Sequence, residues 1–345
     1  MVESSLHQSE PVMLPGPSFG RMLRGVVGYG LMTWLMIVTP LIVFLPAALM
    51  HCALRNGRRI AWAALIVAAS LAAVYIIGRP GNPPVDASMT WGHVAGVLLA
   101  VALPAMAALP MVERGDPFGR VLMFLLIGSI VGLAVTETGS RALFDYSPYA
   151  GQVAQAEQSS AKIVGLYRTS GMPAEMVRFA ERWARYSTFV LPAALLVNIT
   201  LVFVLSLLMI GRLKTWREFV AQRFEPGAAA ALLFRNLSLP DWLLFAFVLG
   251  GLTPIATGLL QKVAANTLAM VVFLYILQGL AIFRFLLAAM GAGLIGTMLG
   301  WLLLVFLTLT GVGPLLLALA GLFDSFFDFR HFKKRKDDSH EGHTD

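Results

Sequence analysis

Apolar and polar positions alternate along this chain in long blocks. Apolar runs fill about residues 25–54, 60–78, 93–112, 121–137, 187–211, 241–261, 264–286 and 290–323. Three of the polar breaks are short and rich in turn formers: RNGRR at 55–59, RPGNPPVD at 79–86 and ERGDPFGR at 113–120. A run of about twenty apolar residues crosses a hydrocarbon core of about 30 Å as a helix. Backbone in lipid must satisfy its own hydrogen bonds, so such runs become helices. The pattern predicts an all-α fold, a polytopic transmembrane helix bundle.

The two terminal runs are too long for one crossing each. About thirty residues reach about 45 Å at 1.5 Å per residue. Each is interrupted near its middle, by Pro40 in the first and by TGVGP at 310–314 in the last. Proline ends or kinks a helix, so each terminal run is expected to make two short passes. That gives ten passes in all, with eight long helices as the alternative.

The largest polar insert, 138–186, is expected to be extracytoplasmic and helical in two pieces. Pro173 and Glu175 suit the first turn of the second piece. Met176, Ala180, Trp183, Ala184 and Ser187 share one face, and Arg178, Glu181, Arg182 and Arg185 the other, with Glu181 and Arg185 spaced for an ion pair. The insert reads either as an amphipathic helix on the membrane surface or as a cap over a ligand. Around it lie an N-terminal transmembrane part, 21–137, and a C-terminal one, 187–330. Residues 1–20, with Pro11, Pro15 and Pro17, and the charged tail 331–345 are expected to be disordered.

Composition agrees with lipid as the solvent. The chain is 58% hydrophobic and 13% charged, with a mean hydropathy of +0.76, whereas soluble domains carry roughly 25% charged residues. The net charge of +7 sits in short runs beside apolar segments, where membrane topology accounts for it, and so gives no sign of nucleic acid. Lysines and arginines in 212–235, in the tail and in RNGRR put these segments, and both termini, in the cytoplasm, as in a multi-pass protein of a bacterial inner membrane. Cys52 is the only cysteine, which excludes an internal disulfide.

Few residues within the spans carry chemistry, and ionisable ones there face the bundle interior. Glu137, in TETGSR, either meets a cation or a ligand amine from the outer mouth or is a solvated helix end. Asn198 and Gln278 are mid-span amides, with Tyr275 one turn before Gln278; they either bridge helices or line a pocket. Asn266 stands about 120° round the helix from Gln278 and is not expected to share its site. Arg284 either snorkels to lipid phosphates or pairs with an anionic substrate. Ala64, Ala68 and Ala72 form one ridge of small residues, and Ala292, Gly296 and Gly300 another; these pack helices internally or meet a membrane partner protein. At the C-terminal end Asp324, Asp328, His331 and Arg335 fall on one helical face. Together with Arg330 and the surrounding phenylalanines, the aspartates are expected to anchor the last helix in the cytoplasmic interface, or to dock a partner.

RNLSLPDWLLFAFVLGG (235–251), NTLAMVVFLYILQGLAIFRF (266–285) and GLFDSFFDFR (321–330) resemble the YybS-like family of bacterial membrane proteins, most clearly over 187–330. The resemblance implies a distant kinship with the substrate-binding components of energy-coupling-factor vitamin transporters. The chain has no HExxH, Walker loop, GxSxG or paired cysteines, so neither an enzyme nor a cofactor is expected. His340 and His343 are too weak a pair to indicate a metal. The reading is a non-catalytic binding or transport component for an unknown small molecule, working beside a partner. The alternative is a scaffold that recruits cytoplasmic proteins through its basic linker and tail.

Overall fold

A computed structural model describes residues 19–77, 84–223 and 232–327 of the protein. Regular structure among them is helical. Five stretches are long and apolar enough to cross a membrane: Arg58–Tyr75, Trp91–Arg114, Phe118–Phe144, Leu191–Arg212 and Gly258–Ala289; a bent pair near the C-terminus makes six. The protein is therefore a polytopic helix bundle, with five or six spans of that length among the described residues and two shorter apolar helices, Met22–Val38 and Pro40–Asn56, beside them. The expected linker 79–86 lies partly outside the described residues, and residues 1–18 and 328–345, with Asp328, Arg330, His331 and Arg335, wholly so.

Both terminal runs break where proline or glycine predicts. The first is α1 (Phe19–Val38), a 3₁₀ turn (Pro40–Phe44) and α2 (Leu45–Asn56). Thr39 caps the turn by accepting from the Leu41 N–H at 3.3 Å. The last run is α13 (Leu294–Leu309) and α14 (Val312–Phe327), bent by 110°. Gly311 takes a φ of +78° at the bend, a left-handed conformation that glycine adopts without steric cost.

The intervening helices are α3 (Arg58–Ile77), α4 (Pro84–Val97), α5 (Leu103–Arg114) and α6 (Phe118–Phe144). A π-helical turn, Leu98–Ala102, joins α4 to α5. Pro104 has no N–H to give the carbonyl four residues before it. That carbonyl, on Ala100, instead accepts from Ser129 Oγ of α6 at 2.6 Å. Arg58 pairs with Glu113, which sets the RNGRR and ERGDPFGR turns on one face of the bundle.

The insert does form two helices, α7 (Pro148–Thr169) and α8 (Ala174–Phe189), joined at Gly171 with φ +66°. Glu181 pairs across this hairpin with Arg168 rather than with Arg185. Ala180 is buried, while Phe179 and Trp183 are exposed. The long α9 (Leu191–Arg212) and the short α10 (Lys214–Arg223) follow.

One expected span is not a span. Residues 241–261 hold a nine-residue helix, α11 (Leu243–Gly251), and the first turn of α12 (Gly258–Ala289). Nine residues rise about 14 Å. Pro254 disfavours helix at Thr253, and Thr253 Oγ1 closes the helix end by donating to the Gly250 carbonyl at 2.6 Å. Before α11 the chain runs through irregular backbone with Leu232, Phe234, Leu237 and Leu239 buried. Irregular backbone at membrane depth is tolerated where protein covers it.

The two ridges of small residues differ. Ala64, Ala68 and Ala72 are fully buried on α3, which packs on α1; they are internal packing. Ala292 lies in the turn before α13, outside any helix. A side chain on Gly296 would meet only Ala292, while one on Gly300 would strike Leu287 of α12 at 2.9 Å. The second set is therefore not a continuous ridge. Its spacing is broken by the turn that Gly291 permits.

Candidate functional site

α4, α6, α7 and α9 enclose a cavity of about 530 Å³. Its walls are mainly aliphatic, with Val97, Ile130, Leu133 and Leu196 among them, and Glu137, His93, Gln152 and Asn198 supply polar groups. A mostly apolar cavity of ~300–1,000 Å³ with a few convergent polar groups is the usual form of a small-molecule site. Small residues keep it open. A Cβ on Gly96 would meet nothing closer than Thr136 at 3.9 Å.

Glu137 is built into this site. Its Oε1 accepts from Arg141 Nε at 2.7 Å and from Ser147 Oγ, and its Oε2 accepts from the Tyr149 N–H at 3.0 Å. Tyr149 lies in the first turn of α7, whose unpaired N–H groups favour a carboxylate. Glu137 thus holds the α6–α7 corner. An ionised carboxylate oxygen can take two donors. Oε1 is filled by Arg141 and Ser147, and Oε2 has one donor, leaving a place for one more. Tyr146, in the α6–α7 turn, has its phenol pushed above the ordinary range by burial and by the charge of Glu137.

Gln278 and Tyr275 lie elsewhere. Gln278 is buried on α12, accepts from the Leu239 N–H at 3.3 Å and donates to Asp324 Oδ2 of α14 at 2.9 Å. Tyr275, also buried, meets the Phe247 ring edge-on at 6.0 Å. This cluster ties α11, α12 and α14 together. Asp324, expected among the residues at the membrane interface, points into the bundle and is bonded to Gln278. Two glycines explain it. A Cβ on Gly321 would lie 2.1 Å from the Tyr275 carbonyl oxygen, and one on Gly279 would lie 2.0 Å from that of Leu317. Glycine lets the two backbones meet, and the next turn of α14 then delivers Asp324 to Gln278.

Asn266 bridges a third place, as its separation from Gln278 predicts. Its Oδ1 accepts from the Ala193 N–H at 2.8 Å and its Nδ2 donates to the Phe189 carbonyl at 3.1 Å. One amide so caps the start of α9 and the end of α8. Arg284 lines a separate, smaller cavity near the far end of α9.

The expected ligand residues thus divide: Glu137 and Asn198 share the large cavity, Tyr275 and Gln278 hold helices together, and Arg284 stands apart. His93, Gln152, Gly279 and Gly321 were not singled out by the sequence. The glycines did carry a signal, since Gly279 directly follows Gln278 and Gly321 opens the GLFDS segment. Among the described residues no group of three or more histidine, cysteine or acidic side chains is placed to hold a metal ion.

A family model described as "Predicted membrane protein (DUF2232)" matches residues 31–325. No curated protein and no solved structure matches the chain. The matched range takes in the large cavity, the Gln278 cluster and the five long apolar helices found among the described residues, and the chain belongs to this family of membrane proteins.

Proposed function

We propose that the protein is a non-catalytic binding or transport component that takes one small, largely apolar molecule into the cavity between α4, α6, α7 and α9. The observation that carries this reading is the cavity of about 530 Å³ with Glu137 and Asn198 on its wall. The remaining acceptor position on Glu137 suits a hydroxyl or amine donor on the ligand. The aliphatic walls suit its body. The resemblance to the YybS-like family, and through it to transporter substrate-binding components, supports the same role.

A partner in the bilayer has a surface to meet. None of the sixteen residues of α13 is buried. The cell membrane is that of a bacterium in this reading, with both termini in the cytoplasm as the lysine and arginine asymmetry requires. A reporter fused after Asp345 checks this; a periplasmic signal refutes it.

The test of the pocket is native mass spectrometry of gently extracted protein. The expected result is one small molecule bound per chain, lost from Gly96→Leu, whose new side chain enters the cavity. Thermal stability should stay close to that of the parent. An unchanged bound mass in a well-folded Gly96→Leu variant rejects the cavity as the site.

A further inference from the structure

The smaller cavity, about 240 Å³, lies against the end of α9 remote from the first. Arg212 of α9, Arg235 of the irregular segment and Arg284 of α12 all line it, beside Leu232 and Phe234. Three segments distant in sequence therefore bring three cations to one small space. Gly211 lies where two of these segments meet. A Cβ there would stand 3.3 Å from the Leu232 carbonyl oxygen, a tight contact, so the 232–235 segment lies close against α9.

Among the described residues no carboxylate lines the cavity. The ion pairs among the described residues employ Arg58, Arg120, Arg141, Arg168 and Lys214, and none of the three cavity arginines. All three are exposed at its mouth, and none has a carboxylate partner among the described residues. Guanidinium groups present forked donors that match phosphate and carboxylate oxygens in pairs. The volume is below the ~300–1,000 Å³ of pockets for whole drug-sized molecules, which suits a single anionic group. Leucine and phenylalanine on the same wall suit an apolar chain leading from it, and basic pockets between membrane helices are suited to phospholipid headgroups.

We propose that Arg212, Arg235 and Arg284 form a phosphate-binding site, occupied by the headgroup of an anionic phospholipid or by a soluble phosphate. The site is separate from the large cavity and does not depend on its role.

The full chain in mild detergent is offered phosphatidylglycerol and phosphatidylcholine together, and the lipids it retains are counted by native mass spectrometry. In a second arm, thermal unfolding is followed with inorganic phosphate against chloride at equal ionic strength. Preferential retention of phosphatidylglycerol, falling about fivefold for each arginine removed in Arg235→Gln and in the double variant Arg235→Gln/Arg284→Gln, supports a lipid occupant. A phosphate-specific rise in unfolding temperature that these variants lose supports a soluble one. Arg120→Gln, which removes an exposed arginine paired with Asp116, controls for general charge loss. Should the double variant not fold, Arg235→Lys and Arg284→Lys decide, because they keep charge but lose the fork. Equal retention of both lipids by the parent protein, with no phosphate-specific stabilisation, overturns the proposal. So does a phosphatidylglycerol preference that the variants keep.

Discussion

Gln278 and Asn198 are both amides in the middle of apolar helices, yet their surroundings are opposite. Gln278 is 1% exposed and bonded to Leu239 and Asp324. Asn198 is exposed on the wall of an open cavity. The difference comes from the neighbours rather than from the amides. Around Gln278, glycines at 279 and 321 let α12 and α14 touch backbone to backbone. Near Asn198, the helices stand apart and leave about 530 Å³ between them. An amide becomes a bridge where small residues close the gap, and a lining group where they do not.

That contrast predicts a graded response to substitution. Gly279→Ala and Gly321→Ala should do most damage, because the new methyl group would fall within about 2 Å of a facing carbonyl oxygen. A loss of about 3 kcal/mol is expected, read from unfolding in detergent; stability equal to the parent's would mean that the two helices are not in contact. Next comes Gln278→Leu, which strips a hydrogen bond from a buried N–H and from a buried carboxylate oxygen. Its expected cost is about 2 kcal/mol, with the bound small molecule retained, and loss of that molecule from a folded variant would erase the distinction drawn between the two regions.

Asn266→Ala sits between these extremes. It removes the cap shared by α8 and α9 and should cost about 1 kcal/mol, seen first as faster hydrogen exchange at Ala193. Asn198→Leu should be nearly silent in stability, within about 0.5 kcal/mol as for other exposed positions. It should nevertheless weaken binding in the large cavity, measured by the fraction of protein carrying ligand. A large fall in stability here would show that Asn198, too, is a bridge.

Much of the fold was legible because it depends on short stretches of chain. The break at Pro40 and the bend at 310–314 follow from a missing N–H or a glycine able to take positive φ. The two-helix insert follows from Pro173 and Glu175 at a helix start and from helical spacing. The run 241–261 misled because its apolar composition suits a span, while Pro254 and the Leu239–Pro240 entry shorten the helix. The site was less legible. Gln278 and Asp324 stand 46 residues apart, and nothing in either segment names the other. The Ala292–Gly296–Gly300 spacing has the same weakness in reverse, since a turn at Gly291 takes the first member out of the helix.

The sequence by itself determined the medium and the elements: runs this apolar, with so little charge, must be helices in lipid, and their breaks are written in proline and glycine. Tertiary structure alone decided which amide bridges, which lines a cavity, and that three distant arginines share one space. The physical reason is that lipid tails and protein interior are equally apolar. A leucine facing either is the same letter, so hydrophobic pattern cannot say which helix faces meet. That is settled by where small side chains let backbones approach.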